Sequence, residues 1–104
     1  MNKRLAMLEK MCASDSAESF AWYGLAMEYR KEQRFADSLA TFGKLRERDP
    51  DYLPMYLMAA QVLLDELDQE GEARPWLEQG IELAKRKGDS KALGELQDAL
   101  AACD

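Results

Sequence analysis

At 104 residues the chain is long enough for one small domain, with 47% hydrophobic and 33% charged residues, the composition of a folded protein. Its net charge of −6 argues against nucleic acid as a partner, because phosphate binding requires a concentrated basic surface. No stretch approaches the roughly 20 apolar residues that span a bilayer, and Glu9 and Lys10 interrupt any signal-peptide core. We therefore predict a cytoplasmic protein that does not enter a membrane.

The inventory of reactive side chains is small. Cys12 and Cys103 lie near opposite ends without CxxC spacing, and the chain contains no histidine, which argues against a zinc site. A disulfide would require the termini to meet, so we expect both cysteines to be small packing residues. Nothing in the sequence supplies a nucleophile, a metal site or a phosphate loop. We predict that the protein is not an enzyme and has no cofactor.

The first predicted element is an amphipathic helix over residues 2–13, in which Leu5, Leu8 and Cys12 share one face. A polar stretch then interrupts the pattern. Asp15 precedes Glu18 by three residues, the spacing of a capping box, and predicts that the second helix begins there.

Two facing helices are predicted in the following segment, residues 19–52. Its first helix has large and small apolar residues at i, i+3, i+4 and i+7, and its second begins after a polar interruption at 32–34. The residue before Pro50 is disfavoured in a helix, so the second helix should end by Asp49. The residues predicted to hold this hairpin together are Trp22, Leu25, Ala26, Tyr29, Ser38 and Phe42.

Much of this pattern returns over residues 53–87. Tyr56, Ala59, Ala60 and Leu63 lie 34 residues after the corresponding positions of the first hairpin. In the second helix of this pair, the residues that match the first hairpin lie 35 positions later, namely Ala73, Leu77, Gly80 and Ile81. The change from 34 to 35 indicates one inserted residue in the loop between the two helices. Asp51 is the expected cap of the first helix of this pair.

A last helix is predicted over residues 89–103. Gly88 can close the preceding helix, and Asp89 or Ser90 can cap the new one. This helix has one apolar stripe and a polar back, as the terminal element of a stack of helices requires. In all, residues 1–104 are predicted to form one all-α domain of about six antiparallel helices.

A period of 34 residues in paired helices resembles the tetratricopeptide repeat. In the first unit, the family's preferred residue types occur at Trp22, Leu25, Ala26, Tyr29, Phe35, Ser38, Phe42 and Pro50. The second unit is a weaker match, with Gly80 in place of a usual Ala and Lys85 in place of a Pro. The resemblance covers about two-thirds of the chain and implies an α-α superhelix, the tetratricopeptide-repeat solenoid.

The resemblance also implies a binding surface. Family members bind peptides or partner helices in a concave groove lined by the first helix of each repeat. The corresponding residues here are Phe20, Tyr23, Met27, Arg30 and Lys31 in the first unit and Leu57, Met58, Gln61, Leu64 and Asp65 in the second. Leu57 and Leu64 fit the core as well as the groove. Where some members have a Lys and two Asn that clamp a carboxylate, this chain has Tyr23, Met27 and Met58, which predicts an apolar partner.

Three hypotheses for function follow. The first is a small adaptor or scaffold that holds a peptide or helix of another protein in an apolar groove. The second is a structural homodimer, formed by the same surface or by Trp76, whose ring could lie at the edge of its helix. The alternative to that role for Trp76 is packing against the terminal helix. The third hypothesis is an accessory subunit of a larger complex.

Overall fold

The computed structural model describes residues 1–103, which contain six α-helices and no strand. The predicted all-α fold class is confirmed. The helices are α1 Lys3–Cys12, α2 Ser19–Lys31, α3 Phe35–Arg48, α4 Pro54–Gln61, α5 Glu70–Lys87 and α6 Ser90–Ala101. A π-helical turn, Val62–Glu66, continues α4.

The helices fall into two compact units. The first, Met1–Tyr52, contains α1 to α3, and α2 packs against both of its neighbours. The second, Leu53–Asp104, contains α4 to α6, with α5 packed against α4 and α6. In each unit the middle helix is therefore the one that carries most of the packing surface.

The first unit is packed around the crossing of α2 and α3. Ala26 and Ser38 are fully buried there, and the Ser38 hydroxyl donates a hydrogen bond of 2.8 Å to the carbonyl oxygen of Ala26. Phe42 is also fully buried. Small residues at a crossing let two helix backbones approach closely, while larger side chains fill the space on either side. The prediction that these positions hold the hairpin together is confirmed.

Tyr29 departs from the prediction that it is a core residue. Its side chain is only half-buried, and its hydroxyl donates a hydrogen bond of 2.6 Å to Oε2 of Glu9 on α1. The guanidinium of Arg34 lies 4.6 Å from the centre of the Tyr29 ring. Burial, and then the hydrogen bond to Glu9, raise the pKa of Tyr29 to about 12. The period places Tyr29 on the inner stripe of α2, but its length carries the polar tip out to solvent.

The second unit explains why Gly80 replaces the usual alanine of the repeat. A Cβ atom on Gly80 would lie 2.8 Å from Cβ of Tyr56 and 2.9 Å from Cδ2 of Leu96. The backbone of α5 is thus in direct contact with side chains of both α4 and α6. Trp76 is buried in the same unit, with its ring centre 6.0 Å from that of Tyr56. The ring of Trp76 consequently belongs to the interior, and the idea that it lies at the helix edge is wrong.

The residue inserted in the second repeat lies in the π-helical turn. Gln33 and Asp68, which follow α2 and the π turn respectively, both have a left-handed backbone, with φ of 61° and 54°. These positions are 35 residues apart, whereas Ala59 and Leu63 still follow the offset of 34. The register therefore shifts between Leu63 and Asp68. The wider i to i+5 turn absorbs the extra residue at the end of α4, and the loop does not.

The helix ends test the predicted caps. Asp89 caps α6 by accepting a hydrogen bond of 3.0 Å from the backbone N–H of Ala92, and Gly88 closes α5 with φ of 69°, as predicted. The predictions for Asp15 and Asp51 are wrong. The residues before α2 and α4 are Glu18 and Leu53, and neither makes a side-chain capping bond. Both cysteines are buried, as expected of small packing residues.

Candidate protein-binding surfaces

A stripe of exposed and partly exposed side chains runs along α2. It consists of Phe20, Tyr23, Met27, Arg30 and Lys31, and is called the α2 stripe below. The spacing of three to four residues places these side chains on one side of the helix. Trp22, Leu25 and Ala26 lie on the neighbouring side, where they are buried.

The apolar part of the α2 stripe is exposed at Phe20 and partly exposed at the other two residues. The side chain of Phe20 is 73% exposed, and those of Tyr23 and Met27 are partly exposed. Phenylalanine is usually buried in folded proteins, so the exposed ring of Phe20 makes this side of α2 a candidate contact surface.

The ring of Tyr23 packs against two other aromatic rings. Its ring centre lies 5.4 Å from that of Tyr52 and 6.2 Å from that of Phe42, with edge-on and tilted geometries that aromatic pairs prefer. Burial, followed by the neighbouring Tyr52, raises the pKa of Tyr23, so the phenol stays neutral at physiological pH. These contacts fix one side of the Tyr23 ring, while the side chain stays partly exposed.

The far end of the α2 stripe is basic, and a buried carboxylate lies beside it. Glu28 is 6% exposed, and accepts hydrogen bonds of 2.8 Å from Nδ2 of Asn2 and 3.1 Å from Nε of Arg4. The bond from Asn2 is the main cause that lowers the pKa of Glu28, with smaller contributions from Lys31 and Arg4. Glu28 therefore ties α1 to α2, and beside it Lys31 is exposed and Arg30 is partly exposed.

Sequence reasoning missed this role of Glu28. Its only sequence signal is its position three residues after Leu25, on the side of α2 that α1 covers. A buried carboxylate can be recognised only when its donors are known, and these come from residues about 25 positions away along the chain.

The second unit has its own exposed surface on α4. Leu57, Met58 and Gln61 are partly exposed there, and Asp65 is exposed on the π turn. Leu64 is partly exposed as well. Leu57 and Leu64 therefore have solvent-accessible side chains and are not fully buried in the core.

The described residues offer no sign of a metal site. Within positions 1–103, no group of three or more His, Cys, Asp and Glu side chains could hold an ion. Among the helices in that range, none combines the length and the apolar character required to cross a bilayer.

Comparison with known proteins gives structural matches. No family profile and no curated protein matches the chain. A tetratricopeptide repeat domain protein from Salinibacter ruber is 37% identical to it; the solution structure covers 86% of this chain and 90% of that one, with a TM-score of 0.77. The crystal structure of the Salinibacter domain covers 83% and 96% of the two chains, with a TM-score of 0.75.

A third structure extends the comparison of the fold. A protein from Bordetella parapertussis, solved in solution, is 24% identical and covers 97% of this chain and 87% of its own, with a TM-score of 0.79. At that identity the likeness concerns the fold alone.

Proposed function

The chain belongs to the tetratricopeptide repeat family, and on that premise we propose that it binds a peptide segment or a helix of a partner protein on the α2 stripe. The family is one of helical-repeat protein-interaction modules in general. The observation that supports the more specific proposal is the apolar row on one side of α2, in which Phe20 is exposed and Tyr23 and Met27 are partly exposed.

The side chains of the α2 stripe suit an apolar partner. Phe20 and Tyr23 offer large apolar areas with few rotatable bonds, which limits the entropy lost on binding. Met27 has a flexible thioether side chain that adapts to different shapes. Arg30 and Lys31 give one end a positive charge, so a partner whose apolar residues are followed by carboxylates would be complementary.

The α4 surface supplies a further set of contacts of the same kind. Leu57 and Met58 are apolar and partly exposed, and Gln61 adds a hydrogen-bonding amide. We propose these residues and Asp65 as a contact surface of the second unit, described by itself. A second copy of the chain is the alternative partner, because an apolar patch of this kind also supports a homodimer.

The test uses one substitution in the α2 stripe and one matched substitution outside it. Met27→Asp places a charge in the middle of the apolar row, while Met7→Asp makes the same change at a methionine of α1 that is 54% exposed. Partners are captured from native cell extract and quantified by mass spectrometry. We expect proteins retained by the wild type to be lost at least about tenfold with Met27→Asp and kept with Met7→Asp.

Two controls make the result decisive. Circular dichroism must show the same helical signal for all three proteins, and light scattering at micromolar concentration reports whether the wild type is a dimer. If Met27→Asp retains the same proteins as the wild type, the α2 stripe is not the binding surface. A dimer that Met27→Asp dissociates, with no other protein captured, would favour the homodimer.

A further inference from the structure

A carboxylate lies beside the aromatic end of the α2 stripe. Asp49 is the residue that ends α3, and its Oδ2 atom accepts a hydrogen bond of 2.6 Å from the hydroxyl of Ser19, the neighbour of Phe20. The backbone N–H of Tyr52 donates a bond of 3.1 Å to the carbonyl oxygen of Asp49. These two bonds hold the Asp49 carboxylate and Tyr52 close to the first turn of α2.

The charge of Asp49 is not neutralised by an ion pair. Its side chain is partly exposed, and among residues 1–103 no lysine or arginine pairs with it. Arg48 pairs with Asp15 instead and lies 5.0 Å from the centre of the Trp22 ring, and Arg46 interacts with other groups. A carboxylate at the C-terminal end of a helix is also opposed by the helix dipole. An incoming cation would therefore be favourable here.

Two tyrosine rings lie next to this carboxylate. Burial, and then the carboxylate of Asp49, raise the pKa of Tyr52, so its phenol stays neutral beside that charge. The ring centre of Tyr23 lies 5.4 Å from that of Tyr52, and Phe42 packs against Tyr23 at 6.2 Å. Both tyrosine side chains remain partly exposed. The faces of aromatic rings carry partial negative charge and attract cations.

This combination is complementary to arginine in particular. A guanidinium is planar, stacks on aromatic rings and donates two parallel hydrogen bonds to a carboxylate, whereas an ammonium ion is compact and strongly hydrated. Glu18, the exposed residue before α2, adds a second negative charge at this end. Phe20, 73% exposed, offers a contact for an apolar residue next to the arginine.

We propose that Asp49, Tyr23 and Tyr52 form a subsite for an arginine side chain of a partner protein. The guanidinium pairs with the carboxylate of Asp49 and stacks on the tyrosine rings, while an adjacent apolar residue of the partner contacts Phe20. The subsite rests on the proposed function, because it lies at the aromatic end of the α2 stripe, and it specifies one residue type in the bound segment.

Binding of short peptides measures the contribution of the arginine. The probe is a blocked pentapeptide with a central arginine between leucines, and its matched control has citrulline there, which has nearly the same shape but no charge. By isothermal titration calorimetry, we expect the arginine peptide to bind at least about tenfold more tightly than the citrulline peptide. A lysine peptide should bind at least about threefold more weakly than the arginine peptide.

Substitutions locate the subsite. Asp49→Asn keeps an acceptor for Ser19 but removes the charge, and should weaken binding of the arginine peptide about tenfold while changing that of the citrulline peptide less than about twofold. Glu47→Gln removes the same charge at an exposed position of α3 and should change neither affinity by more than about twofold. Tyr52→Leu keeps an apolar side chain without the aromatic face and should weaken the arginine peptide about fivefold. Circular dichroism checks folding, and either Asp49→Asn or Tyr52→Leu decides the matter if the other does not fold.

Several outcomes would overturn the subsite: no binding, equal affinities for the arginine peptide and either the citrulline or the lysine peptide, or binding that Asp49→Asn leaves unchanged. Arginine amide that binds as tightly as the peptide would indicate a site for small cations and contradict docking of a protein. None of these outcomes decides the proposed function, which is tested by the proteins that Met27→Asp fails to capture. Failure of the arginine subsite and failure of the α2 stripe are therefore distinguishable.

Discussion

Replacement of Gly80 by alanine tests the packing of the second unit most directly. Gly80 lies in the interior of α5, where a glycine usually weakens a helix relative to alanine by roughly 0.5–1 kcal/mol. Without tertiary contacts, Gly80→Ala would therefore stabilise the protein. The structure predicts that Gly80→Ala destabilises the protein instead, because there is no space for the new methyl group.

The magnitude follows from the distances. The added Cβ would lie 2.8 Å from Cβ of Tyr56, about 0.6 Å inside ordinary van der Waals contact. Leu96 can rotate its terminal methyl groups, but Cβ of Tyr56 is attached to the backbone of α4 and can move only with that helix. Overpacking of a tight core costs about 1–3 kcal/mol, and the gain in helix propensity offsets part of it. We expect Gly80→Ala to lower the free energy of unfolding by about 1–2 kcal/mol.

Urea denaturation followed by circular dichroism measures this change, and two other glycines serve as controls. Gly43 and Gly94 also lie inside helices, but a Cβ at either would meet none of the described atoms within 4 Å. Gly43→Ala and Gly94→Ala should each raise the free energy of unfolding by about 0.5–1 kcal/mol. If Gly80→Ala stabilises the protein as the two controls do, the close approach of α5 to its neighbours is refuted.

Two further predictions concern Glu28 and the cap of α6. Because the folded-state pKa of Glu28 lies below its ordinary value of 4.5, its stabilising contribution is complete above that pH and is lost as the pH falls through the lowered pKa. Urea midpoints should therefore differ between the wild type and Glu28→Gln at pH 7, and the difference should shrink as the pH falls through the lowered pKa of Glu28; a constant difference would contradict the linkage. Asp89→Ala should lower the free energy of unfolding by about 1 kcal/mol, because the N–H of Ala92 loses its acceptor. Ser90→Ala, beside it, should change it by less than about 0.5 kcal/mol, and equal losses would rule out Asp89 as the cap.

The proposed α2 stripe is recognisable in the sequence because one face of a helix repeats every three to four residues, and Phe20, Tyr23 and Met27 follow that period. How far each side chain is covered is not recognisable in this way. The ring of Tyr23 packs against those of Phe42 and Tyr52, which belong to other parts of the chain.

The sequence alone determined the helices and their pairing, through the spacing of the apolar residues and their sizes. Trp22, Leu25 and Ala26 recur as Tyr56, Ala59 and Ala60 because each helix pair has the same face to bury, and a local pattern of apolar residues is enough to show this. Features that depend on contacts between distant residues were decided only by the tertiary structure. The carboxylate of Glu28 is buried because Asn2 and Arg4 reach it, and Gly80 is required because Tyr56 and Leu96 occupy the space beside it. The spacing of residues along a helix specifies the face on which a side chain lies. The groups that surround that side chain depend on how the helices pack.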